Sequence, residues 1–313
     1  MSSSGRSAIG ADRKARMAET RSVVITGASR GLGLASATHL YKQGWQVVAA
    51  MRSVDAGMEK LREAAGADAD DPGLVGVTLD LTDSASVAAA AKSIEEAVGA
   101  PYALVHNAGI SAAGMAEETP MTLWERMFET SVFGPVALTN ALLPAMRDAG
   151  RGRIVVVSSA GGVRGMPATA PYSAAKGASE RWAESLAGEI APFGLGVTVL
   201  VTGTYDTDII TDAGTIDSRD FEGPYRRHHA TMDKRGRLAM KYGAKSPDRF
   251  AAGLAKALEG TKPFARRPVG ADARMLLTMN RVLPAAGLHQ VIRVMMGLPR
   301  HGAIKSHESD DNG

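Results

Sequence analysis

Apolar and polar positions alternate on two length scales along the first two thirds of the chain. Short apolar runs rich in β-branched residues are separated by longer amphipathic segments such as 33–44 and 84–99. The predicted strands cover residues 22–27, 45–52, 74–83, 102–109, 152–162 and 195–203. Because these runs are too continuously apolar for strands with one wet face, they indicate strands buried on both faces. The alternation of strand and helix therefore predicts an α/β fold, a doubly wound parallel sheet with helices on both faces.

The character of the chain changes after Gly203. Residues 204–245 carry scattered glycines and turn signals, and a long irregular insertion in a compact domain is more often a lid over a binding site than a passive loop. A helical pattern resumes over 248–260, and the Met- and Leu-rich segment 273–300 predicts two short helices separated near Pro284. The predicted organisation is a flexible extension over 1–20, a main domain over 21–272 that includes a substrate lid over 204–245, and a helical tail over 273–313.

Composition narrows the classes of protein. The 313 residues include no cysteine, which excludes disulfides, thiolate catalysis and cysteine-bound metals. The net charge of +3 is spread over scattered positive residues, so we expect no nucleic-acid partner. No apolar run has the length of about 18 residues that a spanning helix needs, and residues 1–20 lack the apolar core of a secretory signal. The predicted location is cytoplasmic.

The first predicted strand runs into the glycine-rich stretch TGASRGLG, residues 26–33. Its glycines, Gly27, Gly31 and Gly33, are spaced like a relative of the dinucleotide fingerprint. Glycine lets the backbone approach a pyrophosphate, and the helix that follows offers unpaired N–H groups and a positive dipole end. A plain turn would look similar in isolation, but the position after the first strand of a parallel sheet favours cofactor binding.

The end of the second predicted strand indicates which dinucleotide binds. An acidic residue there would bond an adenosine ribose and favour NAD, whereas this chain has Met51 and Arg52. The Arg52 guanidinium, with Arg30 of the glycine-rich stretch, suits a 2′-phosphate. The alternative is a pair of exposed surface arginines. We therefore expect NADP(H), with NAD(H) as the less favoured cofactor.

Tyr172 and Lys176 stand four residues apart in the stretch PYSAAK, so they share one face of a helix. A neighbouring ammonium group lowers the pKa of a phenol, which makes tyrosine a usable general acid or base towards an alcohol or carbonyl. Ser159, at the end of the fifth predicted strand, can bond the same oxygen. Tyr-x-x-x-Lys alone is common by chance, and an exposed helix pair is the alternative.

The ordered motifs TGASRGLG, LDLTD, HNAG, SS and YSAAK resemble the short-chain dehydrogenase/reductase family over residues 21–260. The resemblance implies a Rossmann fold and reversible hydride transfer between a nicotinamide cofactor and a carbonyl carbon. It implies that Ser159, Tyr172 and Lys176 are catalytic. The cofactor-binding residues it implies are Gly27, Ser29, Arg30, Gly31, Leu32, Gly33, Arg52, Asp80, Leu81, Asn107, Ala108, Gly109, Tyr172, Lys176 and Thr207.

Three positions depart from the family pattern. His106 replaces the first asparagine of the usual NNAG, where its ring can still hydrogen-bond. Thr202 replaces the proline of the usual Pro-Gly turn after the sixth strand, which predicts a looser turn near the nicotinamide. Ser131 replaces the asparagine that is the fourth member of the family's catalytic set and helps to hold a water in a proton relay. Because a serine hydroxyl can also bond water, we assign Ser131 to the catalytic set and expect a reduced or rewired relay.

The segment after Gly203 resembles the branch of the family that contains 17β-hydroxysteroid and retinol dehydrogenases, which implies a hydrophobic secondary alcohol, ketone or aldehyde as substrate. The family also implies a homodimer or homotetramer.

His228 and His229 lack carboxylates at ligand spacing, so we predict that they are solvated residues of the lid and that they form no metal site. The apolar stripe of the tail predicts a subunit contact or pocket wall, with weak membrane-surface contact as a second interpretation.

Two other classes of function remain open. The first is a non-catalytic NADP(H)-binding sensor or scaffold, which the departure at Ser131 would favour and intact Ser159, Tyr172 and Lys176 argue against. The second is a sugar-nucleotide epimerase or dehydratase, which also uses tyrosine and lysine. Its glycine-rich loop normally has a different spacing, Gly-x-x-Gly-x-x-Gly, so it ranks lower.

Overall fold

The computed structural model describes residues 21–207 and 215–303. The predicted N-terminal extension, part of the predicted lid and the end of the predicted tail lie outside the described residues. Strands and helices are numbered separately, in chain order. The strands are β1 (Ser22–Thr26), β2 (Gln46–Met51), β3 (Leu74–Thr78), β4 (Ala103–His106), β5 (Ser111–Ala113), β6 (Gly152–Ser159), β7 (Leu195–Thr202), β8 (Thr215–Asp217) and β9 (Phe264–Val269). The helices are α1 (Gly31–Lys42), α2 (Val54–Ala65), α3 (Ser84–Val98), α4 (Met121–Phe128), α5 (Gly134–Asp148), α6 (Ala160–Val163), α7 (Ala170–Ile190), α8 (Arg226–Gly243), α9 (Pro247–Leu258), α10 (Ala271–Val282) and α11 (Ala285–Met296).

The main sheet has seven parallel strands in the order β3-β2-β1-β4-β6-β7-β9. The strand order reverses between β1 and β4, and doubly wound sheets bind ligands at such a switch point, outside the carboxyl ends of the strands. The predicted fold class is therefore confirmed as a Rossmann fold.

Both faces of this sheet are covered by apolar packing. On β1, Val24 belongs to one apolar cluster, whereas Val23 and Ile25 belong to the cluster on the opposite face. All three side chains are fully buried, which explains why the strand is apolar without alternation. Packing on both faces thus holds the carboxyl ends of the central strands in place, and the cavity described below lies at these ends.

One strand of the main sheet and one helical irregularity were absent from the sequence prediction. Strand β9 is an edge strand whose sequence, FARRPV, contains two arginines and Pro268, so it lacks the apolar run of a central strand. The second is a π-helical turn, Glu129–Phe133, which lies between α4 and α5 and carries Ser131. Such turns widen a helix locally and are frequent at functional sites.

The described part of the predicted lid is more regular than its sequence indicates. Strand β8 pairs with β5 in a two-stranded parallel sheet, and α8 follows it. The side chain of His229 is fully buried, and its Nε2 lies 2.8 Å from Oε1 of Glu118. The prediction that His229 is solvated is therefore wrong, because the α8 helix docks this ring against the loop that follows β5.

Candidate active site

A cavity of about 890 Å³ opens at the carboxyl ends of the central strands. All fifteen residues predicted to bind the cofactor line it, together with Ser159 of the predicted catalytic set. One end is bounded by the stretch between β1 and α1, and the other by Met-rich α10 and α11. The cavity thus brings the glycine-rich stretch and the Tyr-Lys pair, about 140 positions apart in sequence, to one site.

The glycines of the glycine-rich stretch let its backbone lie close to the residues that follow β4. Gly27 and Gly31 have φ angles of +68° and +54°, in the left-handed region that glycine adopts without strain. A Cβ on Gly33 would overlap the carbonyl oxygen of Gly27. The Nδ2 of Asn107 donates to the carbonyl oxygens of Thr26 (2.9 Å) and Gly27 (3.3 Å), which braces the turn.

This cradle fits a dinucleotide. Gly27, Gly31 and Gly33 add no side chains at the N-terminus of α1, where backbone N–H groups and the helix dipole favour a pyrophosphate. Arg30 and Arg52 both line the cavity, both are exposed, and neither has an ion-pair partner among the described residues. Two hydrogen bonds from Thr82 hold the pKa of Asp80 below its ordinary value, so Asp80 offers a carboxylate at the same end.

Thr207 is the last residue described before the gap in the lid. It is buried, and its side chain lies against the position that a Cβ on Gly31 would occupy. Leu81, which follows β3, and Ala108, which follows β4, also line the cavity. The structure therefore brings the predicted cofactor-binding residues together, while their individual contacts with a cofactor remain predictions.

Ser159, Tyr172 and Lys176 meet between the end of β6 and the first turns of α7. The Lys176 ammonium is buried, donates to the carbonyl oxygen of Val157 at 2.8 Å and lies 5.9 Å from the centroid of the Tyr172 ring. The loop after β4 passes close to it at Gly109, where a Cβ would lie in van der Waals contact, 3.6 Å from Nζ. The Ser159 hydroxyl accepts a hydrogen bond from the Gly161 N–H at 2.9 Å, which fixes its place at the start of α6.

Burial shifts the pKa values of both ionisable members of this group. Desolvation raises the pKa of Tyr172, and its hydrogen bond with Ser159 opposes that change. Desolvation lowers the pKa of Lys176 to about 8, while the charge of Glu180 raises it. The sequence predicted that Lys176 lowers the pKa of the phenol, whereas in the structure burial raises the pKa of Tyr172.

Behind Lys176 lies a buried ionic group that the sequence prediction missed. Glu180 follows Lys176 by one helical turn and is 1% exposed. One carboxylate oxygen accepts from the Ser158 hydroxyl at 2.6 Å, and the other pairs with the Arg266 guanidinium of β9. The four-residue spacing after Lys176 was the signal that could have placed Glu180 on the same face of α7.

Ser131 does not line the cavity. Its side chain is buried on the π-helical turn, and its hydroxyl has no hydrogen-bond partner among the described residues. Its backbone carbonyl accepts from the Ser179 hydroxyl of α7 at 2.7 Å. The predicted catalytic role of Ser131 therefore stays a prediction, whereas Thr130 beside it reaches the cavity wall.

His106 and Thr202, the other departures, both make buried side-chain hydrogen bonds, the first with helix α5 and the second with strand β6. His106 Nε2 lies 2.7 Å from the Thr139 hydroxyl, and burial lowers the pKa of His106 to about 3. The Thr202 hydroxyl donates to the Ser158 carbonyl oxygen at 2.9 Å. Asp272 then accepts from the Thr204 N–H at 2.6 Å, so the expectation of a looser turn after β7 is wrong.

The substrate end of the cavity is lined by residues that sequence patterns did not single out individually. Asp272 pairs with Lys245 at 2.9 Å and lines the wall beside the turn after β7. The apolar part of this wall comes from Met166 and from the facing sides of α10 and α11, and consists of Met275, Leu276, Met279, Leu288, Val291, Ile292, Met295 and Met296. Methionine adapts to irregular apolar shapes, so this wall suits an apolar molecule.

Fold and site together define a dinucleotide-binding α/β protein with a tyrosine-lysine pair at the strand ends. Comparison with known proteins specifies the class further. The model of the short chain dehydrogenase family matches residues 21–215. A solved structure of a short-chain dehydrogenase from Streptomyces avermitilis is 31% identical with a TM-score of 0.75, covering 90% of this chain and 99% of its own. The chain belongs to the short-chain dehydrogenase/reductase family.

Curated relatives agree with this assignment. Dehydrogenase/reductase SDR family member 7B of Mus musculus is 37% identical over 198 residues, which are 62% of this chain and 61% of that protein. The uncharacterized oxidoreductase YusZ of Bacillus subtilis is 37% identical over 186 residues, which are 59% and 65% of the two chains. The match therefore spans less than two thirds of either relative. A 3-ketodihydrosphingosine reductase of Bacteroides thetaiotaomicron is 28% identical over 281 residues, 88% of this chain and 98% of that protein.

None of the helices in the described ranges 21–207 and 215–303 is long and apolar enough to cross a membrane.

Proposed function

We propose that the protein is an NADP(H)-dependent oxidoreductase that interconverts a hydrophobic secondary alcohol and a ketone, or an aldehyde and its alcohol. One observation carries the proposal: Ser159, Tyr172 and Lys176 line the same cavity as the glycine-rich stretch and a Met-rich apolar wall. A carbonyl placed at Tyr172 is thereby held between the cofactor cradle and an apolar pocket.

Tyr172 gives its proton to the carbonyl oxygen during reduction and takes it back during oxidation. Ser159 orients and polarises the same oxygen. The buried Lys176 ammonium stabilises the phenolate that forms when Tyr172 loses its proton, and it would also bind the nicotinamide ribose. A bound nicotinamide supplies the hydride; the chain supplies position, proton and charge.

NADP(H) is the proposed cofactor because of the charges at the adenosine end. Arg30 and Arg52 lie at the cavity with no ion-pair partner among the described residues, which leaves both guanidiniums free for a 2′-phosphate. The buried end of β2 carries Met51 where an acidic residue would select NAD.

The substrate proposal rests on the apolar wall and on one relative. The relative from Bacteroides thetaiotaomicron is named for the reduction of 3-ketodihydrosphingosine, a keto compound. Exposed Val294 and Met295 at the end of α11 support the proposed weak contact of the tail with a membrane surface. A homodimer or homotetramer is the proposed assembly.

Tyr172→Phe tests the mechanism. It removes the proton donor, so we expect kcat to fall by about 10²- to 10⁴-fold with NADPH and a panel of apolar ketones. Tyr242→Phe is the control, because that ring is 77% exposed on α8. Unchanged turnover in Tyr172→Phe would contradict the proposed chemistry. Tight NADPH binding with no turnover in the wild-type chain would favour the sensor or scaffold interpretation.

Arg52→Gln tests the cofactor preference. Loss of one charge-assisted contact with the 2′-phosphate should weaken NADPH binding about tenfold and leave NADH binding unchanged. Fluorescence titration of the bound nicotinamide measures both, with exposed Arg151→Gln as the control. A wild-type chain that prefers NADH would overturn this assignment.

A further inference from the structure

A second, smaller cavity adjoins the substrate end of the active site. It has a volume of about 450 Å³ and lies between residues 165–167 and the end of α11 with the residues that follow it. Met166 and Ile292 line both this cavity and the larger one. The two cavities are therefore adjacent, on either side of these two side chains.

The charged groups in the lining of this basic cavity all carry or can carry positive charge: His289, Arg293, Arg300 and His301. Among the described residues, no aspartate or glutamate lines it. A concave surface with charge of a single sign concentrates its field on an anion.

The arginines of this cavity have no ion-pair partner in the ranges 21–207 and 215–303. Arg293 donates through Nε to Gln290 at 2.8 Å and through Nη1 to the Leu298 carbonyl oxygen at 2.9 Å, which orients its guanidinium. Arg300 is exposed, and neither arginine has a carboxylate partner within the described ranges. By contrast, Arg219 and Arg266 are paired with carboxylates. The basic cavity thus retains unneutralised guanidinium charge.

The C-terminal end of α11 would by itself disfavour an anion, because helix carbonyls carry negative partial charge there. That end is capped by another cation. Arg235 of α8 donates to the carbonyl oxygens of Val294 and Met295, at 2.7 Å for the second. The Arg235 guanidinium offsets the negative end of the α11 dipole. The charge near the cavity is therefore set by its own arginines and is positive.

We propose that the basic cavity binds an anionic terminus of the substrate, a carboxylate or a phosphate monoester, while the apolar part lies along α10 and α11 and the carbonyl reaches Tyr172. This inference rests on the proposed ketone or alcohol chemistry of the larger cavity. It narrows the substrate class from apolar carbonyl compounds to amphipathic ones with an acidic end.

Matched ketones test the assignment. One series consists of long-chain keto acids in which the number of methylenes between the carbonyl and the carboxylate varies; the others are the corresponding methyl esters and keto-alkyl phosphates. For at least one spacing, the KM of an anionic ketone should be about tenfold below that of its ester at equal kcat. Comparison of the acid and phosphate series distinguishes the two anions.

Variants assign the effect to the cavity. Arg300→Gln should raise the KM of the preferred anionic ketone about five- to tenfold, with kcat and the ester KM unchanged, and Arg300→Lys should restore part of it. Arg281→Gln is the control, because that arginine is exposed on α10 and lines neither cavity. Equal KM values for acid and ester at every spacing, or equal losses in Arg281→Gln and Arg300→Gln, would overturn the proposal.

A binding measurement keeps the inference separate from catalysis. With saturating NADP⁺ to occupy the cofactor site, dodecyl phosphate should raise the Tm of the wild-type protein more than dodecanol does, and Arg300→Gln should remove that difference. If esters turn over but the anion gives no advantage in either assay, the basic cavity has no such role. If no ketone turns over while the Tm difference persists, the proposed catalytic function fails and the anion site stands.

Discussion

Replacing Glu180 by glutamine should shift the pH dependence of catalysis. The carboxylate of Glu180 raises the pKa of Lys176, which desolvation lowers to about 8. Two charges about 6 Å apart, the usual spacing of i and i+4 side chains, interact by about 2.8 kcal/mol at an effective dielectric constant of about 20, or roughly 2 pKa units. Because Arg266 and Ser158 already hold the carboxylate and offset part of its field, we expect the Lys176 pKa to fall by about 1 unit in Glu180→Gln.

The sign follows from the role proposed for Lys176. Its ammonium form stabilises the phenolate left by proton transfer, so ketone reduction weakens as pH rises through the Lys176 pKa. In Glu180→Gln this loss should begin about 1 pH unit lower than in the wild-type chain. The assay is the pH profile of kcat/KM for NADPH-dependent reduction from pH 6 to 9.5.

Glu184→Gln is the matched control, because Glu184 lies on the same helix, is 50% exposed and pairs with Arg181. It should leave the profile unchanged. His106 and Tyr172 also face Lys176, and both variants leave them intact. An unshifted Glu180→Gln profile in a protein of normal Tm, or an equal shift in Glu184→Gln, would refute the coupling. A shift to higher pH would show that the sign is wrong.

Two further substitutions test individual positions. Ser131→Asn should keep or raise kcat, because it restores the family's residue on the π-helical turn; a tenfold loss in steady-state assays would show that this turn is built around serine. Gly33→Ala should destabilise the fold by about 1–3 kcal/mol and weaken cofactor binding, since the new Cβ meets the Gly27 carbonyl oxygen and Asn107 Nδ2. Gly188→Ala has open space on α7 and should not destabilise the protein, so equal losses of Tm in both variants would contradict the steric reasoning.

The sequence predicted those parts of the structure that depend on residues close together in the chain. The central strands are buried on both faces, so their apolar runs stand out without any tertiary information. Tyr172 and Lys176 lie one helical turn apart, and the glycine-rich stretch is a continuous segment at the end of β1. Each of these features can be predicted from residues that are close together in the sequence.

The features that were missed or wrongly predicted depend on contacts between distant residues. Arg266 and Glu180 are 86 positions apart, and no periodicity links them. The turn after β7 is tight because Asp272, 68 positions beyond Thr204, bonds its backbone. His229 is buried against Glu118, which lies 111 positions earlier in the sequence and contacts its ring. Burial and pairing of polar groups at such separations are properties of the folded chain.

Pro268 has a consequence for how copies of this chain can associate. Strand β9 ends the main sheet, and its outer edge is where another chain could add a strand and begin edge-to-edge aggregation. Proline has no N–H to donate, and Arg266 is held inward by Glu180 in the middle of the same strand. We therefore expect subunits to assemble through side chains rather than by extending one sheet across β9, so that concentrated protein resists ordered β-aggregation along this edge.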